Sequence, residues 1–134
     1  MYVNKIWGIY MSKRRFISYS TRKKYCMDVV GGLQADNTPI IVYPCHIGTN
    51  QYFKYNKKTK QIISRRTKKC LDMDKKGVIV QKKCNHNKTQ KWKYKNKQWI
   101  SLKNKKCIDV AGGDYAKGTL ITHPCHKGTN QRFV

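Results

Sequence analysis

Apolar residues come in short runs between polar turns, and no stretch holds a helical repeat for three turns. Three of these runs are alike: Arg15-Phe16-Ile17-Ser18, Gln61-Ile62-Ile63-Ser64 and Gln98-Trp99-Ile100-Ser101, each leading into a basic turn. A second set lies beyond the turns marked by Gly31-Gly32, Lys76-Gly77 and Gly112-Gly113. Its members are Ile40-Ile41-Val42-Tyr43, Val78-Ile79-Val80 and Thr119-Leu120-Ile121-Thr122. β-branched and aromatic residues dominate these runs, and Gly-containing turns punctuate them, so the pattern predicts short strands throughout. The chain reads as all-β.

The same order of elements recurs with its polar phrases intact. Pro44-Cys45-His46-Ile47-Gly48-Thr49-Asn50-Gln51-Tyr52-Phe53 returns as Pro124-Cys125-His126-Lys127-Gly128-Thr129-Asn130-Gln131-Arg132-Phe133, with two of ten positions changed. A weaker copy, Cys84-Asn85-His86-Asn87-Lys88-Thr89-Gln90-Lys91-Trp92, lies between them. Cys26-Met27-Asp28-Val29, Cys70-Leu71-Asp72-Met73 and Cys107-Ile108-Asp109-Val110 precede the copies. Function is therefore sought in what recurs. Three units of about four strands are too few for a propeller and suit a closed threefold arrangement. The expected organisation is one domain over residues 1–134, with repeats at 15–55, 61–94 and 98–134. Residues 1–14 would supply an N-terminal strand closing the third repeat, with Trp7 to Tyr10 beside Phe133.

Charge changes the picture. The 134 residues carry 30 Lys and Arg against 6 acids, a formal +24. All the acids are Asp, and Asp28, Asp72 and Asp109 each stand two residues after a repeat cysteine. Residues 65–106 hold sixteen cations, whereas residues 107–134 hold three. Such a field attracts polyanions: nucleic acid, anionic membrane surfaces or acidic glycans. A chain this short and basic has a thin core that cross-links would help, and six cysteines are available. Met1 to Ser20 has no apolar run of signal-peptide length, and nothing approaches a membrane span. A removed leader, another export route and an intracellular home all stay open, with an extracellular or secreted location as the expectation.

Cys-x-Asp followed by Pro-Cys-His-x-Gly-Thr-Asn-Gln-x-Phe, with three Gln-x-aromatic phrases each six residues after a cysteine, resembles the ricin B-type β-trefoil lectins. The resemblance covers residues 15–134. It implies a β-trefoil of three pseudo-symmetric repeats, with up to one shallow sugar site per unit. It implies the disulfides Cys26–Cys45, Cys70–Cys84 and Cys107–Cys125. It also implies a scaffold role for Gln51, Phe53, Gln90, Trp92, Gln131 and Phe133. Carried over position by position, the sugar contacts are Asp28, Tyr43, His46 and Asn50 in unit one. In unit three they are Asp109, His123, His126 and Asn130. Unit two keeps Asp72 and a shifted His86, has Lys82 where the aromatic belongs and Thr89 for Asn, and is expected to be empty.

These residue types suit a pyranose. A carboxylate accepts hydroxyl protons in charge-assisted bonds, an Asn amide both donates and accepts, and a Tyr ring covers the C–H face. Plainer roles compete: the aspartates as organisers of the Gly-Gly turn, Tyr43 as strand surface, and the asparagines as partners of backbone groups. A zinc site lacks any Cys-x-x-Cys, and no carboxylate pair recurs at a glycosidase spacing. No metal, cofactor or catalytic residue is expected. The expected function is a non-catalytic lectin for galactose- or N-acetylgalactosamine-type glycans, drawn also to anionic cell surfaces. The alternative is a polyanion binder for heparin-like glycans or nucleic acid, acting through the lysine-rich second repeat.

Overall fold

A computed structural model describes residues 10–18 and 24–134. Eleven strands run along the described chain: β1 (Tyr10–Arg14), β2 (Tyr25–Val29), β3 (Ile40–Pro44), β4 (Phe53–Asn56), β5 (Gln61–Ser64), β6 (Cys70–Met73), β7 (Ile79–Lys82), β8 (Trp92–Lys95), β9 (Gln98–Ser101), β10 (Cys107–Val110) and β11 (Leu120–His123). Short 3-10 turns at 49–51, 88–90 and 129–131 precede the Gln-x-aromatic strands. All the strand pairs are antiparallel.

Each unit contributes one hairpin that starts at its first cysteine: β2–β3, β6–β7 and β10–β11. The three hairpins meet through the isolated bridges Pro39↔Val80, Ile41↔Thr119 and Val78↔Ile121, each joining a different pair of units. The remaining strands pair across unit boundaries, β4 with β5 and β8 with β9. This is a β-trefoil, with the threefold relation already legible in the repeat.

Residues 7–9 of the expected closing strand lie outside the described residues. Tyr10 begins β1, whose partner is β4 of the first unit (Tyr10↔Asn56, Arg14↔Phe53). The chain's end is joined instead by Ile17 and Ser18. Ser18 pairs with Phe133, and Ile17 and Val134 exchange N–H···O bonds of 3.0 and 2.9 Å. The repeat dictates this register. Phe133 and Ser18 meet as Phe53 meets Ser64 and as Trp92 meets Ser101.

The core is filled by equivalent residues of the three units. Met27, Leu71 and Ile108 sit on the first hairpin strands, and Ile40, Ile79 and Leu120 on the second. Phe53, Trp92 and Phe133 lie below them, all essentially inaccessible. Each such side chain contributes roughly 1.5–3 kcal/mol of burial. Phe16 lies 5.7 Å from Phe53 and 5.0 Å from Trp99, whose ring also meets Tyr55 (4.9 Å) and Tyr94 (4.7 Å). Trp92, set among lysines in sequence, is therefore core rather than a binding platform. The disulfides are Cys26–Cys45, Cys70–Cys84 and Cys107–Cys125, closing loops of 19, 14 and 18 residues. Loops of that size confer roughly 3 kcal/mol each in the chain-entropy account.

Candidate functional site

The first hairpin carries Asp28 on β2 and Tyr43 on β3, and the following loop brings His46 and Asn50 beside them. Asp28 is 3% exposed, and its carboxylate is held from below. Gln51 Nε2 donates to Oδ2 at 2.8 Å and Asn50 Nδ2 donates to Oδ1 at 3.2 Å. Gln51 also spans the loop: its amide donates to Pro44 O (3.1 Å), and its Oε1 accepts from the His46 backbone N–H (2.8 Å). Asn50 reaches Val29 O at 3.0 Å. Asp28, Ile41, Tyr43, His46 and Asn50, with Gly31 at the rim, line a shallow concavity of about 290 Å³. Tyr43 is half exposed, and its ring stands edge-on to His46 at 6.1 Å.

The aspartate is thus not a bare acceptor. A carboxylate has about four acceptor positions, and the two amides fill two of them. The rest face His46 and the groove. Burial, the largest influence, raises the Asp28 pKa above its ordinary value of 3.8. Hydrogen bonds from Gln51, His46 and Asn50 and the attraction of His46 work in the opposite sense.

The imidazole's proton is placed by its loop. The Gly48 N–H donates to His46 Nδ1 at 2.9 Å, so in the neutral ring the proton sits on Nε2. Nε2 lies 3.5 Å from Asp28 Oδ2, long for a hydrogen bond, and presents a donor beside an acceptor. That pairing of donor and acceptor at the lip of a groove suits a hydroxyl group. Gly48 is required here because a Cβ would stand 2.7 Å from His46 Cε1 and 2.8 Å from Asn50 Oδ1.

Unit three repeats the constellation. Gln131 Nε2 donates to Asp109 Oδ2 (2.8 Å), and Asn130 Nδ2 donates to Oδ1 (3.2 Å) and to Val110 O (3.1 Å). The Gly128 N–H donates to His126 Nδ1 at 2.8 Å, with His126 Nε2 at 3.6 Å from Asp109 Oδ2. His123 takes the place of Tyr43, 6.0 Å from His126. Asp109, His123 and His126 each offer a ligand atom within 4.8 Å of the others, the one such group among the described residues. However, the His126 nitrogen turned to Asp109 carries the proton. A cation there would first have to break the Gly128 bond, so the loop favours a hydroxyl over a metal.

Unit two is built differently. Asp72 keeps its Gln90 bond (2.9 Å), but its other oxygen accepts the N–H of Met73 at 2.7 Å. Asn85, not His86, occupies the position of His46, and its Oδ1 accepts the Asn87 N–H at 2.8 Å. With Asn87 replacing the glycine and Thr89 the asparagine, the donor–acceptor lip is missing. His86 sits on the outer side of the loop, beside Gln61 and Lys91.

The structure brings Asp28, Tyr43, His46 and Asn50 together in unit one, and Asp109, His123, His126 and Asn130 in unit three. Gln51 and Gln131 were expected mainly as scaffold. They are scaffold that also holds the carboxylates. The signal was present in the repeated Asn-Gln pair. The glycines two residues after each histidine, replaced by Asn87 in unit two, marked the loop that fixes the imidazole.

The profile of the ricin-type beta-trefoil lectin domain matches residues 15–133. The chain belongs to that family. A search of curated proteins returns no match. Among solved structures, the designed threefold-symmetric protein ThreeFoil superposes with a TM-score of 0.79 at 17% identity, over 90% of this chain and 95% of that one. The earthworm R-type lectin C-half, in complex with GalNAc, gives 0.77 at 20% identity, over 95% and 97%. The hemolytic lectin CEL-III gives 0.80 at 24% identity, over 94% of this chain but 30% of its own. At these identities the likenesses speak to the fold. In this ricin-type lectin domain no helix among the described residues is long and apolar enough to cross a membrane.

Proposed function

We propose that this chain is a non-catalytic carbohydrate-binding module. It would take one galactose- or N-acetylgalactosamine-type residue in the groove of Asp28, Tyr43, His46 and Asn50. A second would enter the groove of Asp109, His123, His126 and Asn130. The observation that carries the reading is the twofold recurrence of a buried carboxylate clamped by Gln and Asn beneath an imidazole Nε2–H. The carboxylate would accept two sugar hydroxyls, the imidazole would donate to one, and the Tyr43 ring would cover the C–H face. Membership of a lectin family supports carbohydrate as the ligand class. The GalNAc bound by the earthworm lectin favours that sugar type. Such open sites are individually weak, and two on one rigid body gain by multivalency. The three disulfides favour an oxidising, extracellular setting.

The test is a glycan array on the wild type and on Asp28→Asn, Asp109→Asn and the double variant. Each single variant is expected to keep binding through the other groove, and the double variant to lose neutral galactosides while remaining folded. Undiminished binding by the folded double variant would reject the site. A second reading, polyanion binding by the lysine-rich middle unit, draws on the formal +24. Its binding would fall steeply with added salt, whereas a neutral sugar in the Asp28 groove would hardly respond.

A further inference from the structure

The two long copies of the repeat differ at two positions, Ile47 against Lys127 and Tyr52 against Arg132. Both of the residues that change in unit three line one pocket. It holds about 480 Å³ on the outer side of the His126 loop, between that loop and the turn before β9, and is walled by Lys127, Arg132, Asn96, Lys97, Gln98 and His126. Gln98 Nε2 donates to His126 O (2.8 Å) and to Gln131 Oε1 (2.9 Å), tying the pocket's floor to the carboxylate clamp. Arg132 donates from Nη1 to Asn96 O at 3.3 Å, which holds the guanidinium at the pocket wall.

The threefold relation supplies two controls. In unit one Arg15 Nη1 bonds His46 O (3.4 Å), and its guanidinium lies over the Tyr52 ring at 5.6 Å. At the positions of Gln98 and Arg132, unit one thus carries the chain's own cation–π pair. In unit two the corresponding hollow is smaller, about 180 Å³, with Thr59 for Asn96, His86 for Lys127 and Lys91 for Arg132. Lys91 reaches the Thr59 carbonyl at 3.3 Å. Among the described residues, unit three alone combines the larger volume with three cations, Lys97, Lys127 and Arg132. General lysine bias does not account for it, because residues 107–134 hold three cations in all and two of them are here.

We infer that this pocket is a separate subsite for a sulfated sugar residue. A sulfate ester presents three terminal oxygens, enough for two ammonium groups and a guanidinium to bond it from different sides, with the Asn96 and Gln98 amides near the ring. A carboxylate is satisfied by a single guanidinium fork and would use the trio less fully. The subsite does not depend on the sugar reading of the two grooves.

The experiment is isothermal titration of the full chain at one low salt concentration. The ligands are a heparin-derived sulfated disaccharide, its desulfated form and sialyllactose. The wild type should prefer the sulfated disaccharide at least tenfold over both others. Lys127→Gln with Arg132→Gln should cut that affinity at least tenfold, whereas Lys75→Gln with Lys76→Gln, which removes equal charge elsewhere, should cut it less than threefold. Asp28→Asn, in the groove of unit one and with no bond to this pocket, should leave it unchanged, which separates this inference from the groove assignment. Equal losses in the Lys127/Arg132 and Lys75/Lys76 variants, or sialyllactose binding as tightly as the sulfated sugar, would overturn it.

Discussion

Gln51 donates to the Asp28 carboxylate at 2.8 Å while its carbonyl oxygen accepts the His46 backbone N–H at the same distance. One fully buried amide therefore fixes both halves of the candidate groove, the acceptor from the hairpin and the imidazole from the loop. Replacing it with leucine keeps the volume but strips the carboxylate of its shortest bond and orphans a backbone N–H. Gln51→Leu is expected to lower stability by about 2–3 kcal/mol. Urea denaturation checks this, and a loss below about 0.5 kcal/mol would show that the clamp carries no load.

Gly128 separates binding from folding. Its φ of −66° and ψ of 147° are open to any residue, yet a Cβ would stand 2.6 Å from His126 Cε1 and 2.9 Å from Asn130 Oδ1. Gly128→Ala should push both side chains aside, reducing sugar affinity of the third groove tenfold or more with a melting point close to wild type. Titration in an Asp28→Asn background isolates that groove.

His123→Tyr tests the stacking surface. It restores in unit three the ring that unit one has in Tyr43, at a position that is solvent-exposed in both units. Affinity at the third groove should rise severalfold with little change in stability, and an unchanged affinity would remove the aromatic from the site.

Acid should move binding and stability in opposite directions at the first groove. Burial raises the Asp28 pKa above 3.8, so the group takes up its proton on the folded chain at a higher pH than on the unfolded one. As pH falls through the raised value, the charged acceptor disappears and sugar affinity declines. Over the same window the cost of burying that charge is relieved, so the Asp28 contribution to stability becomes more favourable. Binding and unfolding followed against pH in an Asp109→Asn chain, and compared with Asp28→Asn/Asp109→Asn, resolve the two trends. Loss of affinity only at or below pH 3.8 would contradict them.

Cys70–Cys84 closes the unit that lacks a groove lip, so its loss should be structural alone. Cys70→Ser with Cys84→Ser is expected to cost roughly 3 kcal/mol in chemical denaturation, with glycan binding by the folded fraction preserved.

How much of this was legible in the chain follows from what repeats. Recurrence of Cys-x-Asp and Gln-x-aromatic at fixed spacing set the three units, their strands and the placement of Asp28, Tyr43, His46 and Asn50, because a repeated sequence must bury the same faces in the same register. Three things depended on tertiary contact. The seam at Ile17–Ser18 and Phe133–Val134 joins residues more than a hundred positions apart. The repeat implied that the N-terminal segment meets Phe133, but the sequence pattern put Trp7 to Tyr10 there, and closure of the barrel gave the place to Ile17 and Ser18. The tautomer of His46 is set by a backbone N–H whose direction no spacing encodes. The basic pocket of unit three assembles Asn96 to Gln98, at the junction of the second and third repeats, with Lys127 and Arg132 some thirty residues further on. The two substitutions are visible in sequence, but their common destination is decided by which strand packs beside the loop.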